Sequence, residues 1–385
     1  MKIDDKTSHN SPSLRFPEFT GEWEYFSIND VCSEFKSGKN IKADLISSNG
    51  NFPVYGGNGL RGYTSSYNHD GLYVLIGRQG ALCGNVRSVF GKIYITEHAI
   101  AVAGNEKSDT YFLHYLFLKM NLGQYSDQSA QPGLAVNKLL KLKVLLPSIS
   151  EQIKIAKLLS LLDERIAVQS RLIDRLQSLM IGLNNSLYEQ YGNDITTSFM
   201  ELGYSYSGLS GKSAKDFGSG KPFITYLNVY SNIIVDETDY QYVRINDGEK
   251  QNIVRTGDVL FTLSSETPEE VGIGSVYLGE KEVYLNSFCF GIHIERNQLA
   301  YSPYLSYYVT STAFRKFIYP FAQGSTRFNL CKADFEKASI KLPSLDNQKR
   351  ISAMLDCIAE KIQAEKAILE YYNIQRQYLL RQMFI

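Results

Sequence analysis

One stretch of the chain repeats itself, and the spacing of the two copies constrains every other reading of it. Leu146-Pro147-Ser148, followed by Gln152 and an apolar run, recurs as Leu342-Pro343-Ser344, followed by Gln348 and a second such run, with the copies 196 positions apart. At that spacing Ile155, Leu159, Leu162 and Ile166 fall on Ile351, Leu355, Ile358 and Ile362, and Glu164-Arg165 falls on Glu360-Lys361. In a chain of 385 residues this is one plan used twice, not the many short repeats of a solenoid. The length also exceeds what one hydrophobic core usually holds, so two domains are expected.

Both copies read as long helices. Pro147 and Pro343 stand just ahead of a helix start, and Ser148 or Ser150 in one copy and Ser344 or Asp346 in the other are good N-caps. In the first copy positions 155, 159, 162, 166, 169, 173, 176, 180, 183 and 187 alternate steps of four and three, the a/d rhythm of a coiled coil; only Gln169 is polar there. The seam is expected to run through Leu159, Leu162, Ile166, Ile173 and Leu176. Its counterpart runs through Leu355, Ile358, Ile362, Leu369 and Leu379, with Glu365 at the position matching Gln169. Two seams of equal length most simply pack on each other, and helices of about forty residues would each span roughly 60 Å. The sustained heptads favour such a pair over an amphipathic helix laid on a globular core.

Each long helix follows a segment of mixed character. Short β-type runs occur at 71–77, 92–96 and 99–103 in the first segment and at 257–262 and 274–278 in the second, with short helices expected over 110–120 and 303–317. The expected organisation is a polar tail over 1–14, a globular domain over 15–147, a spacer helix over 148–190, a second domain over 191–343 and a distal spacer helix over 344–385. The fold class is α+β: two globular α/β domains separated by two long antiparallel coiled-coil helices, related by a pseudo-two-fold duplication.

Composition narrows the partners. Lys and Arg total 40 and Asp and Glu total 40, so a uniformly basic nucleic-acid coat and a solvating acidic tail are both excluded. Any polyanion site must be a local patch. The 5 cysteines are scattered without a C-x-x-C pair, which suggests neither a disulfide framework nor a zinc site and fits a reducing compartment. The start of the chain is polar and contains Asp4 and Asp5, and no stretch reaches the length of a membrane span, so a cytoplasmic chain without a membrane partner is expected.

Catalytic constellations are thin. The 5 histidines form no H-E-x-x-H and no cluster with ligand spacing, so no metal site is expected. Ser210-Gly211-Lys212-Ser213 looks like the end of a P-loop, but Tyr206 stands where the first glycine is required. Glu34-Phe35-Lys36 matches the E-x-K fragment of many nucleases without a Pro-Asp pair upstream, and no Asn-Pro-Pro-Tyr or Asp-Pro-Pro-Tyr run of a DNA methyltransferase occurs. The glycines at 203, 208, 211, 218 and 220 do not form a dinucleotide fingerprint.

Charge distribution says more than the total. Residues 36–92 carry seven basic side chains against two acidic ones and residues 315–350 eight against three, while 236–282 holds eleven acidic against four basic. Each half therefore has its own basic stretch, as a two-site binder of nucleic acid needs. The acidic stretch is expected away from that surface or against a partner. Within the basic stretches some loops have the composition of readers: 56–63 with Arg61 and Tyr63, 76–80 with Arg78 and Gln79, and 323–329 with Ser325, Thr326 and Arg327. Gln128 and Gln131 stand at the place in the first half that matches the last of these. Arg and Gln read guanine and adenine edges bidentately. Lys138, Lys212 and Lys332 complete the set of candidate DNA-binding residues.

With these elements in order, the chain resembles the specificity subunit of type I restriction-modification systems. The resemblance runs from Leu14-Arg-Phe-Pro-Glu-Phe19 and Gly21-Glu-Trp23 through the last helix, and rests on the two Leu-Pro-Ser-x-x-x-Gln leads, their coiled-coil helices, Gly257-Asp-Val-Leu-Phe261 and Gly324-Ser-Thr-Arg-Phe-Asn329. It implies two target recognition domains reading the halves of a bipartite double-stranded DNA site, with the helices as a ruler between them. It further implies that this chain is not itself an enzyme and carries no cofactor. Two modification subunits would use S-adenosylmethionine to methylate adenine, and two restriction subunits, where present, would use ATP and Mg2+ to translocate and cut. The rival readings are a non-DNA interaction protein, with two tyrosine-rich domains on a coiled-coil stalk, and a self-sufficient enzyme.

Overall fold

The structure is a computed structural model that describes residues 10–126 and 132–385. It divides into two compact units, Met1–Ser170 with Ala367–Ile385 and Arg171–Lys366.

The first unit opens with β1 (Glu24–Ser27), a one-turn helix α1 (Ile28–Val31) and β2 (Cys32–Ser37). Ser27 makes the turn: its Oγ accepts from Asp30 N while the Asp30 carboxylate accepts from Ser27 N, a reciprocal cap on the helix start. Then come β3 (Phe52–Gly56), β4 (Gly59–Thr64), β5 (His69–Gly77), β6 (Val86–Ile95) and β7 (Ala99–Gly104), and the sheet runs in the order β2-β7-β5-β6-β3-β4. The end of β5, from Leu72 to Ile76, is a continuous apolar run because both its faces are covered there. Val74 and Ile76 join Phe112, Leu113 and Phe117 of α2 (Thr110–Met120), whereas Leu75 joins Val89, Ile93, Ile95 and Ala101 on the opposite face. After α3 (Val136–Leu139), β8 (Lys143–Leu146) returns to pair antiparallel with β1, and α4 (Ile149–Tyr191) begins.

The second unit opens and closes in the same way, with a different middle. β9 (Ile195–Thr197), α5 (Phe199–Leu202) and β10 (Gly203–Ser207) are joined by the same reciprocal cap, here between Ser198 and Glu201. β11 (Phe217–Ile224), α6 (Tyr226–Ser231) and β12 (Tyr240–Val243) follow. β13 (Val259–Thr262), β14 (Ser264–Ser265), β15 (Gly274–Val276), β16 (Tyr284–Leu285) and β17 (Cys289–Ile294) come next, and the main sheet has the order β10-β17-β13-β15. The single helix expected over 303–317 is two, α7 (Ser302–Tyr308) and α8 (Thr312–Ile318). Thr310 Oγ1 turns back onto the carbonyls of Ser306 and Tyr307, and Ser311 Oγ accepts from Phe314 N, so one helix closes and the next restarts. β18 (Ala322–Gln323), β19 (Phe328–Leu330), α9 (Lys332–Lys337) and β20 (Ile340–Leu342) lead into α10 (Leu345–Gln382), and β20 pairs with β9 as β8 pairs with β1.

The repeated glutamine fastens each long helix to its own domain. Gln152 is fully buried; its Oε1 accepts from Asp109 N (3.0 Å) and its Nε2 donates to the carbonyls of Lys107 and Pro147 (2.9 Å each). Gln348 is equally buried; it accepts from Tyr301 N and donates to the carbonyls of Leu299 and Pro343, all at 2.8 Å. A tyrosine on the adjoining short helix then reaches the long helix in each unit, Tyr115 to Asp163 (2.9 Å) and Tyr307 to Asp356 (2.6 Å). The far end of the other long helix closes each core. Leu379, Met383 and Phe384 pack with Phe112, Ile155 and Leu159 in the first unit, and Met180, Leu183 and Leu187 pack with Ile351 and Leu355 in the second. Within each unit the two helical stretches thus run antiparallel. Leu159, Leu162, Ile173, Leu355 and Ile362 are buried, and Ile166, Leu176, Ile358, Leu369 and Leu379 are half-buried. No helix among the described residues is long and apolar enough to cross a membrane.

Candidate nucleic-acid interface

In each unit a strand from the middle of the main sheet runs out into a loop, and that loop is tied to the segment leading to the long helix. Leu134 N donates to Arg78 O (2.9 Å) in the first unit, and Leu330 N donates to Leu263 O (2.8 Å) in the second. These two leucines stand 196 positions apart, the spacing of the helix leads. Gln79 bridges to Gly133 where, in the second unit, Ser264 and Ser265 of β14 pair with Asn329 and Phe328 of β19. The backbone frame is duplicated; the side chains mounted on it differ.

In the first unit the tip of the β3–β4 hairpin closes against this loop. A Cβ added to Gly57 would lie 2.8 Å from His98 O, and one on Gly77 would lie 2.8 Å from Gly57 O, so only glycine permits the approach. The Arg61 stem covers Gly56 and the Arg87 guanidinium covers Gly59. Gln79 Oε1 is 3.1 Å from His98 Nδ1, and His98 Nε2 is 3.2 Å from Glu97 Oε1. Arg61, Gln79 and Arg87 are exposed and Arg78 is half-buried, and among the described residues no side-chain hydrogen bond or ion pair engages the three arginines. The structure therefore gathers Arg61, Arg78 and Gln79, and adds Arg87 and His98, which sequence reasoning did not single out as readers. Tyr63 is half-buried and pairs through its backbone with Ser47, Lys138 is exposed on α3, and Gln128 and Gln131 lie outside the described residues.

In the second unit the matching place is an open cleft of about 680 Å³ lined by Tyr226, Tyr230, Ser264, Glu266, Thr326 and Arg327, among others. Tyr226 donates to Ser264 O (2.9 Å) and stacks on Tyr230, one turn along α6, with ring centroids 5.9 Å apart. The Arg315 guanidinium gathers the carbonyls of Glu269, Val271 and Gly272, which fixes the loop after β14, and burial lowers its pKa. Hydrogen bonds from Tyr230 and then Ser265 hold the Glu270 carboxyl below the usual carboxylate range. Ser325, Thr326 and Arg327 are exposed at the tip of a turn that needs Gly324 at φ +143°. The Arg327 guanidinium lies 5.8 Å over the exposed Phe288 ring. Lys332 is half-buried, its ammonium 4.9 Å over the Phe290 ring and 3.6 Å from Glu336.

Two sequence expectations look different in three dimensions. Lys212 has its ammonium spent inside the protein, on Glu249 and Arg244 O (2.6 Å), with its side chain only 5% exposed. That hydrogen bond, the first of three, holds the Glu249 carboxyl down to about 2. The acidic stretch does not lie wholly apart from the reading loops either. Chain folding returns Glu266 and Glu270 to the cleft that holds Thr326 and Arg327. The Gly257-Asp258 pair serves the fold: Asp258 is fully buried and accepts from Tyr206 OH, from Arg255 N (2.9 Å) and from His293 Nδ1 (2.6 Å). Among the described residues no group of three or more His, Cys, Asp or Glu side chains could hold a metal ion.

Comparison with known proteins agrees with this duplicated plan. The model of the type I restriction modification DNA specificity domain matches residues 20–178 and again 209–371. The chain is 45% identical over 154 residues to the EcoprrI specificity subunit of Escherichia coli, a match that covers 39% of this chain and 38% of that protein. It is 23% identical over 360 residues, 87% of each chain, to a putative type I specificity subunit of Haemophilus influenzae. The crystal structure of the S subunit of a type I restriction-modification system from M. genitalium superposes with a TM-score of 0.63 at 17% identity, covering 97% of this chain and 99% of that one, and so shares the fold. Two copies of the matched domain, each ending in a glutamine-clamped helix, place this chain in the type I restriction-modification DNA specificity family, as a specificity subunit.

Proposed function

We propose that this chain binds a bipartite double-stranded DNA site, one half per unit, and directs chemistry performed by other subunits in the cytoplasm. The helix pair sets the number of unread base pairs between the halves. Two modification subunits, using S-adenosylmethionine, methylate adenine within the site, and restriction subunits, where present, use ATP and Mg2+ to translocate and cut. The observation that carries this reading is the loop pair built on the same backbone frame in both units, Arg78 with Leu134 and Leu263 with Leu330. Arg61, Arg78, Gln79 and Arg87 in one unit and Thr326 and Arg327 in the other supply the cations and bidentate donors that phosphates and base edges require.

The test is the methylated motif in a host that expresses this chain with its modification subunit. The expected result is an adenine-containing motif in two parts separated by unread bases; no such motif, or binding to DNA that does not weaken with salt, would sink the reading. Arg78→Ala should relax one half of the motif and Arg327→Ala the other, each by about 1–3 kcal/mol of discrimination if the side chain reads a guanine. Equal weakening on all DNA sequences would reassign the residue to a phosphate.

A further inference from the structure

We propose that Glu266 is a base-reading residue of the second unit and that it selects a base with an exposed amino group, cytosine or adenine, in the half-site read there. The inference rests on the DNA-binding reading above and adds a residue and a base class to it.

Glu266 is exposed at the end of β14, in the cleft that also holds Thr326, Arg327, Tyr226 and Tyr230. Its neighbour Glu270 is already engaged, accepting from Ser265 Oγ at 2.9 Å and bonded by Tyr230. Glu266 has no hydrogen-bond or ion-pair partner among the described residues, although a guanidinium lines the same cleft. Arg327 lies instead over the Phe288 ring. The loop that carries Glu266 is fixed from behind by the Arg315 guanidinium on three carbonyls, so the carboxylate is presented from a rigid base.

A free carboxylate facing DNA repels phosphates and lowers non-specific affinity. A carboxylate accepts and never donates, and the groups in the major groove that donate are the amino groups of cytosine N4 and adenine N6. On the strand that faces the carboxylate guanine and thymine offer it acceptors and are rejected, so the residue fixes which strand of the base pair carries the amino group. The first unit carries Arg78 and Gln79 on the matching frame, so the two halves are read with opposite chemistries.

The experiment uses the intact chain co-expressed with its modification subunit, with methylated motifs read genome-wide. The wild-type chain should give a bipartite motif in which one position of the half that also relaxes in Arg327→Ala distinguishes the strand that carries the amino group, adenine from thymine or cytosine from guanine. Glu266→Ala should let guanine and thymine in at that single position, a loss of discrimination of roughly five- to 150-fold, with the other half unchanged. Glu266→Gln, which keeps the shape and gains a donor, should favour adenine there. A wild-type motif that is not bipartite overturns the DNA reading itself. A bipartite motif that stays the same at every position in both variants overturns the role of Glu266 alone. Loss of methylation at all sites in both variants overturns it too, because a reader of one base relaxes a motif and does not abolish it.

Discussion

The two units share a backbone plan down to single hydrogen bonds, yet they present opposite chemistry at the place the plan puts forward. In the first, Arg61, Arg78 and Arg87 surround a glycine-rich hairpin tip; in the second, a stacked tyrosine pair and an unpaired carboxylate share a cleft with Arg327. What stays constant is the attachment to the long helices: the Ser27 and Ser198 caps, the Gln152 and Gln348 clamps, and the tyrosine-to-aspartate bonds of Tyr115 and Tyr307. The lesson is that a duplicated attachment to the long helices lets the reading surface diverge freely, because the capping serines, clamping glutamines and bridging tyrosines lie outside the second-unit cleft.

The clamp is the strongest place to break the comparison. Gln152→Leu and Gln348→Leu each leave one backbone N–H and two carbonyls without their partner in a buried site, and each should cost roughly 3 kcal/mol or more. Chemical denaturation of the two variants should give losses of similar size; a loss in one and none in the other would show that the frame is duplicated in shape but not in energy.

A smaller effect should separate the units by pH. His114 on α2 is buried, and desolvation, ahead of the opposing influence of Asp163, lowers its pKa to about 4. The matching place in the second unit is Ser306, bonded to Pro303 O. An unfolded histidine takes its proton near 6.5, so on acidification the unfolded chain binds the proton first. The stability present above about pH 6.5 should therefore fall as pH drops toward 4, by about 3 kcal/mol from this residue. His114→Ser should flatten that slope whatever it does to the absolute level, and an unchanged slope between pH 7 and 4 would remove His114 from the account.

The smallest effect sharpens the division between scaffold and surface. Arg61→Gln should reduce the salt dependence of DNA binding by about one charge. Lys212→Gln should leave that slope unchanged and instead lower thermal stability, since its ammonium is held by Glu249. A slope that changes for Lys212 would return it to the DNA surface.

Much of the frame was legible in the sequence because it is made of local signals: a proline and a serine before a helix, a heptad rhythm, a glutamine at fixed distance. The paired domains and their long helices followed from these. The reading surface was only half legible. Arg61, Arg78 and Gln79 sit on glycine-rich turns that composition marks, but Glu266 lies in a stretch whose summed charge argued against it. Charge summed along the chain does not report charge summed in space: Glu266 comes to Arg327 across sixty intervening residues, and Lys212 is neutralised by a glutamate 37 positions on. Histidine patterning was silent on His114, whose behaviour comes from burial against Tyr115 and its neighbours.

The closing of the first core by Met383 and Phe384 sets an order of events during synthesis. Phe384 stacks on Phe112 with ring centroids 5.1 Å apart, and Trp23 packs edge-on against both. The residues that finish this core leave the ribosome only after the whole of the second unit, roughly 10 to 40 s later at 5–20 residues per second. The unit made first is thus completed last, and for that interval Phe112 and Trp23 wait exposed to whatever chaperone or neighbouring chain meets them.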